Sequence, residues 1–441
     1  MAHGLGRSND RPGTVPYGGF IPASAYRRTE SSGCDDRVPR SATYRDLGCR
    51  GVGSPAAACS DLNRRPDVRA CLVLFFAAGW PCVASAVPVT DAEGRRRQRL
   101  AFFDDANRGR AVILDHVYDI VTDDIFLRLD EMVPGGEVFL KLEGLNPAGS
   151  IKLKTAVGMV EDAERSGLLA AGGRIIESSS GSLGVALALV CVGKGLSFTC
   201  VTDPNASRHS VRLMRALGVD VVEVDRRDAN GGYLGTRIDY IRQRLHHDPG
   251  LVWLNQYANP ANVRTHAMRT ASAILREIGR VDYLFVGAGT TGTMMGCAMH
   301  FRRHSPQTRI IAVDSQGSVT FGHSPGPRYI PGLGTSRVPE ICRPDAVDEI
   351  VMVAEEEAVR TCRELARRRG LMVGGSTGSV MSALSRMAPD IPEGSRIVAI
   401  SPDLGDRYVQ TIYNDSWVSS TFGSDADLTE AFMAISGETG H

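Results

Sequence analysis

The chain has 441 residues, 43% of them hydrophobic, with 50 Lys+Arg against 50 Asp+Glu. That length suffices for two domains with proper cores, while the zero formal charge excludes a global basic field for nucleic acid or anionic membrane and leaves small-molecule chemistry as the expectation. Ten cysteines with no CxxC pair and no zinc-ligand spacing exclude a disulfide framework and a structural metal, so the expected metal content is none.

Cys191, Cys200 and Cys297 fall in apolar segments and read as inert buried thiols, which points to a reducing, cytoplasmic compartment. Only four lysines occur, Lys141, Lys152, Lys154 and Lys194. In a chain where arginine supplies almost all positive charge, the surviving lysines are enriched for places that need an amine.

In chain order, residues 1–110 are rich in Arg, Gly, Pro, Ser and Cys, lack lysine and show no sustained period; they are expected to be a disordered extension or a start codon assigned too early. The apolar run Ala70–Val89 is interrupted by Pro81 and Pro88 and lies too far from the N-terminus for a signal peptide, so no membrane span is expected. From residue 111 the pattern is α/β: a strand-like stretch at Ala111–Ile120, then short apolar runs such as EVFLKL (137–142), RIIE (174–177), LSFTCV (196–201), YLFV (283–286), RIIAV (309–313) and RIVAI (396–400), alternating with helix-like segments. This predicts two α/β domains, each with a mainly parallel sheet flanked by helices, divided as 111–254 and 255–441. Ligands of such sheets bind beyond the carboxyl ends of strands, in turns rich in Gly, Ser and Thr.

Four such turns follow one another. In Asn146-Pro147-Ala148-Gly149-Ser150-Ile151-Lys152 a lysine opens a helix, where the positive end of the macrodipole favours a neutral amine; an ordinary surface lysine on a first turn is the other reading. Glu177-Ser178-Ser179-Ser180-Gly181-Ser182-Leu183-Gly184 follows a strand and opens an apolar helix, a natural carboxylate or phosphate site or else a serine N-cap. Gly287-Ala288-Gly289-Thr290-Thr291-Gly292-Thr293 combines close backbone approach with hydroxyl donors and suits a phosphate; as a dinucleotide fingerprint it lacks the acidic residue that should follow. The last turns are Gly374-Gly375-Ser376-Thr377-Gly378 and Ser401-Pro402-Asp403-Leu404-Gly405-Asp406-Arg407-Tyr408.

The order of these motifs over roughly residues 111–418 resembles the fold-type II pyridoxal 5′-phosphate (PLP) enzymes of the cysteine synthase and cystathionine β-synthase superfamily. The resemblance implies PLP as cofactor and a β-replacement reaction. It also implies roles: Lys152 as the lysine that bonds the cofactor aldehyde; Gly289, Thr290, Thr291, Gly292 and Thr293 as the phosphate loop; Ser179, Ser180 and Gly181 as the grip on the substrate α-carboxylate, assisted by Gln256; and Asp403 at or next to the position facing the pyridine nitrogen. Amino-acid substrates and a homodimer are implied partners, with neither nucleic acid nor membrane. The chain departs from the family at Ser182, where an Asn that contacts the cofactor is usual, in the Leu-Lys-Thr that follows Lys152, and at the start of the phosphate loop.

Four longer stretches, DANGGYLGTR (228–237), WLNQYAN (253–259), AVDSQGSVTFG (312–322) and PGLGTSRVPEI (331–341), are similar to the branch of this superfamily that joins O-phospho-L-serine to L-glutamate on the way to 2,3-diaminopropionate, used in siderophores and peptide antibiotics. Arg237 and Tyr257 match positions of that branch's substrate pocket, and Arg337 is the expected cation for the departing phosphate. The alternatives are cysteine synthesis from an activated serine and sulfide, or a catalytically silent PLP-binding regulatory or scaffold protein.

Overall fold

The computed structural model describes residues 113–229 and 231–423; the expected extension 1–110 lies outside the described residues. The strands are β1 (Phe126–Arg128), β2 (Glu137–Leu142), β3 (Arg174–Ser178), β4 (Ser197–Thr202), β5 (Asp220–Glu223), β6 (Leu251–Trp253), β7 (Tyr283–Gly287), β8 (Arg309–Ser315), β9 (Glu349–Val353) and β10 (Arg396–Ser401). The helices are α1 (Lys152–Arg165), α2 (Ser182–Lys194), α3 (Arg208–Ala216), α4 (Leu234–His247), α5 (Pro260–His266), α6 (Ser272–Ile278), α7 (Gly292–His304), α8 (Glu355–Arg369), α9 (Gly375–Met387) and α10 (Asp415–Phe422). A single π-type turn, Ala267–Ala271, joins α5 to α6.

Local chemistry explains the helix ends. Asn259 caps α5, its side chain accepting from the N–H of Ala261, with Pro260 next in the position where its missing donor costs nothing. Helix α8 opens with Glu355, Glu356 and Glu357, closes with Arg367, Arg368 and Arg369, and stops at Gly370 with φ 63°, the charge order and left-handed stop that the helix dipole and C-terminal geometry favour.

The strands form two sheets, one ordered β1-β2-β10-β7-β8-β9 and the other β5-β4-β3-β6. Every pairing is parallel except β1 with β2. Leu284, Phe285 and Val286 of β7 are buried because helices cover both faces of the larger sheet, which is why its strands read as continuous apolar runs; full burial of each such side chain is worth about 1.5–3 kcal/mol.

Two sequence expectations are corrected here. The sheets do not follow the division at 254/255: β2 pairs with β10 from Glu137↔Arg396 to Leu142↔Ser401, so residues before Lys152 complete the sheet of the C-terminal segment. Over 113–120 there is no strand but one 3-10 turn, Val117–Asp119, in which Asp119 accepts from the His116 N–H. Polar Asp115, His116 and Asp119 break the alternation that a strand needs, and Tyr118 instead packs on α2 where only Gly193 leaves room.

The parallel register ends β2, β10 and β7 in one row, with the Glu143 N–H bonded to Ser401 O. The turns carrying the sequence motifs leave from this row or from the carboxyl ends of β3 and β6, except Gly374–Gly378, which follows α8 and is bridged to the turn after β10 at Val373↔Leu404.

Candidate active site

Lys152 is the first residue of α1 and lines a cavity with Gly289, Thr290, Thr291, Gly292, Thr293 and Ser376. Burial depresses its pKa, against the opposing pull of Asp403, so the amine is biased toward the neutral form that bonds an aldehyde. The turn that delivers it is bonded internally: Asn146 Nδ2 donates to Glu143 O at 2.9 Å and to Ser150 O at 3.0 Å, and Asn146 Oδ1 accepts from the Ala148 N–H. The Ile151 N–H bonds Pro402 O at 2.7 Å, tying the lysine turn to the turn after β10.

Across the cavity, β7 runs into the N-terminus of α7 through the Gly/Thr turn. Among the described residues, Thr291 (φ 66°) and Asn255 (φ 51°) are the only non-glycines with positive φ. A β-branched residue in that region is strained, and the two outliers fall one in the Gly/Thr turn and one just before Gln256. The wall is tight: a Cβ on Gly289 would lie 2.6 Å from Gly332 O, and one on Gly332 (φ +119°) would lie 2.3 Å from Ser376 Oγ.

No acidic side chain lines this cavity. An amine, a helix N-terminus, hydroxyls and no carboxylate together suit a phosphorylated aldehyde.

The residues expected to grip the substrate carboxylate sit at the end of β3. Ser179 Oγ accepts from the N–H groups of Gly181 (3.2 Å) and Gly184 (2.9 Å), holding the N-terminus of α2 in place; Ser180 is half-buried and Gly181 buried. Gln256, buried, donates from Nε2 to Ser178 O at 2.9 Å. Arg237, on α4, is only 6% exposed; its Nε stands 3.3 Å from Asp203 Oδ2, and its Nη1 has no hydrogen-bond partner. Tyr257 is buried, and burial raises its phenol pKa while Arg237 and Arg328 pull it down.

Three further residues expected at the site are engaged by other partners. Ser182 is not among the residues lining the Lys152 cavity; its Oγ accepts from Arg407 Nη1 at 3.0 Å while Arg407 Nη2 bonds Ala148 O at 2.9 Å. Asp403 is buried one layer behind: it accepts from Tyr408 Oη at 2.7 Å, burial raises its pKa, and the side chain that reaches the cavity is Ser376. Arg337 lines a separate open cleft of about 780 Å³, together with Arg226, Arg227 and Thr236, and pairs with Glu340 on its own exposed loop; an i,i+3 partner satisfies it there.

Sequence reasoning missed Ser376, Arg407, Asn262 and His266. Ser376 and Arg407 stood inside recognised turns without an assigned role, whereas Asn262 and His266 lie on a helix with no turn signal. Cys191, Cys200 and Cys297 are buried, with thiols pushed up to about 12, as inert thiols should be.

Residues 126–403 match the profile of the pyridoxal-phosphate dependent enzymes. The chain belongs to that family. It is a PLP-dependent enzyme of cysteine-synthase-like β-replacement type, and the silent-scaffold alternative falls away. An N-(2-amino-2-carboxyethyl)-L-glutamate synthase of Ralstonia nicotianae is 42% identical over 316 residues, covering 71% of this chain and 90% of the relative. One from Cupriavidus metallidurans is 41% identical over 300 residues, covering 67% and 84%. Among solved structures, an O-ureido-L-serine synthase superposes with a TM-score of 0.64 at 31% identity over 72% of this chain and 98% of the other. An O-acetylserine dependent cystathionine β-synthase from Helicobacter pylori gives 0.65 at 29% identity, over 69% and 100%.

Proposed function

We propose that this enzyme joins O-phospho-L-serine to L-glutamate: the glutamate nitrogen bonds the β-carbon and loses a proton, the Cβ–O bond breaks, and phosphate leaves, giving N-(2-amino-2-carboxyethyl)-L-glutamate, a precursor of 2,3-diaminopropionate for siderophores or peptide antibiotics. The observation that carries this reading is the buried Arg237 guanidinium with its unpartnered Nη1, near Tyr257. Glutamate brings carboxylates that must find donors when water leaves, and sulfide needs no such cation. The names of the relatives at 41–42% identity agree.

When bound, PLP supplies an electron sink that lets the Cα–H bond and then the β-substituent be released. The protein does the rest. Lys152 would hold the cofactor aldehyde and, once displaced, carry the Cα proton on its Nζ. The N–H groups of the Thr290–Thr293 turn and the Thr290 and Thr293 hydroxyls would hold the phosphate, and Ser376 would bond the ring nitrogen. The first turn of α2, from Ser179 to Gly181, with Gln256, would hold the substrate α-carboxylate. Arg237 with Tyr257 would take a glutamate carboxylate.

A cytoplasmic homodimer is part of the same reading, the dimer supported by the family resemblance and the compartment by the five free buried cysteines among the described residues. Among the described residues, no helix is long and apolar enough to cross a membrane.

Mass analysis of products from purified protein given O-phosphoserine with glutamate, and separately with sulfide, tests the proposal. The expected product is the glutamate adduct; cysteine formation with indifference to glutamate would replace this reading. In Arg237→Gln the KM for glutamate should rise at least tenfold, about the worth of one hydrogen bond to a charged group, while phosphate release from O-phosphoserine alone continues.

A further inference from the structure

A layer of side chains behind the cavity sets where the hydroxyl hydrogens of the phosphate turn point. Asn262 Nδ2 lies 2.9 Å from Gln256 O. A carbonyl only accepts, so the amide cannot be turned over without setting oxygen against oxygen, and it is Asn262 Oδ1 that faces Thr155 Oγ1 at 3.3 Å. Thr155 therefore gives its hydrogen to Asn262 and offers a lone pair to His266 Nε2, 2.9 Å away.

His266 is fully buried. Burial, then the charges of Lys152 and Lys154, hold its pKa well below the usual value, so the ring is neutral and carries one proton. That proton belongs on Nε2. The bare Nδ1 then accepts from Thr270 Oγ1 at 3.0 Å. The Nε2–H also faces Thr293 Oγ1 at 3.3 Å, and Asn262 Nδ2 faces Thr290 Oγ1 at 3.3 Å. Thr290 Oγ1 thus receives a hydrogen from behind, and Thr293 Oγ1 shares the Nε2–H with Thr155 in a three-centre contact; neither faces an acceptor there, so each keeps its own O–H for the cavity.

We infer that His266, as the Nε2–H tautomer, and Asn262 are positioning residues that aim the Thr290 and Thr293 hydroxyls at the cofactor phosphate as donors. A phosphate presents acceptor oxygens, so donors oriented before it arrives hold it without reorganisation. The same Asn262 bonds Gln256 O, so one amide ties the phosphate turn to the substrate grip.

Glutamine places an amide N–H where His266 has Nε2–H, whereas asparagine reaches only as far as Nδ1. Cofactor-free His266→Gln, titrated with PLP and followed by its visible absorbance, should bind within about threefold of the parent, and His266→Asn should bind ~10- to 100-fold more weakly, the worth of one or two hydrogen bonds to a charged group. The ³¹P resonance of the bound phosphate should move in His266→Asn and stay in His266→Gln. A packing role alone would weaken His266→Asn, the smaller side chain, without moving the ³¹P resonance; an unmoved resonance there, equal weakening in both variants, or none in either, overturns the inference. A measurement on the parent enzyme needs no variant to fold: in ¹⁵N-histidine-labelled protein, the imidazole that stays neutral to the lowest pH of the folded state should show the Nε2–H pattern, and an Nδ1–H pattern there overturns the inference equally.

Discussion

Replacing Lys154 by methionine probes the charge cluster beneath the helix that carries Lys152. In sequence, Lys154 stands two residues beyond Lys152 and so on another face of α1. The structure puts that other face in the interior. The Lys154 side chain is 0% exposed, its Nζ lies 2.5 Å from Glu143 Oε2 and 2.6 Å from Asp123 Oδ1, and Glu143 is itself 0% exposed with Lys141 Nζ at 3.2 Å. Arg269 reaches Asp123 at 2.7 Å from the rim. Methionine fills most of the volume, so the cavity cost is small and the loss is electrostatic: Glu143 keeps one partner, whose own ammonium is already disfavoured by burial. Breaking a buried pair costs about 3–5 kcal/mol, a large share of a total near 5–15 kcal/mol, and should lower the melting temperature of the cofactor-free protein by roughly 6–15 °C. Glu143→Gln added to Lys154→Met removes the stranded charge and should restore at least half of the loss, and the fraction that stays folded should still show the absorbance of lysine-bound cofactor. A loss under about 1 kcal/mol, or a double variant no better than the single one, would refute the reasoning.

Lys152→Ala should abolish both turnover and the visible band, with the far-ultraviolet dichroism unchanged; borohydride fixation and peptide mass mapping of the parent should place the cofactor on Lys152, and a label on Lys154 would contradict the assignment. Gly289→Ala forces a methyl to 2.6 Å from Gly332 O, backbone against backbone, and should weaken PLP binding at least tenfold, about 1.4 kcal/mol or more, read by titration of cofactor-free protein. Burial raises the Glu177 carboxyl to about 7. Because its folded pKa lies above its unfolded one, its contribution to stability is fully present below pH 4.5 and is lost as pH rises through 7, a change of about 3 kcal/mol. Glu177→Gln keeps an oxygen for the N–H groups of Ser178 and Trp253 and should flatten that part of the stability profile in urea melts across pH 4.5–8; an unchanged slope would count against it.

The turns were legible because their information is local. Asn146 to Ser150 bond one another within five residues, the serines and glycines of 178–184 open a helix, and the Gly/Thr turn follows an apolar strand. A helix N-terminus after a strand suits an anion whatever the rest of the chain does. The departures were also visible as letters, but what replaced the missing contacts was not. Ser182 is engaged by Arg407, 225 residues later, and no spacing rule links the two.

By itself, then, the sequence determined the α/β class and the family and singled out Lys152 and the Gly/Thr turn as candidates, since periodicity, turn chemistry and ordered motifs are properties of short segments. Only the tertiary structure decided that β2 joins β10 across the domain division, that Ser376 and not Asp403 lines the cavity, that Arg337 spends its charge on Glu340, and that Lys154 is buried. Each of these depends on which distant strands end side by side, and that is settled by burial summed over the whole core, where no local pattern reports which of two neighbouring polar side chains faces the ligand and which faces the protein.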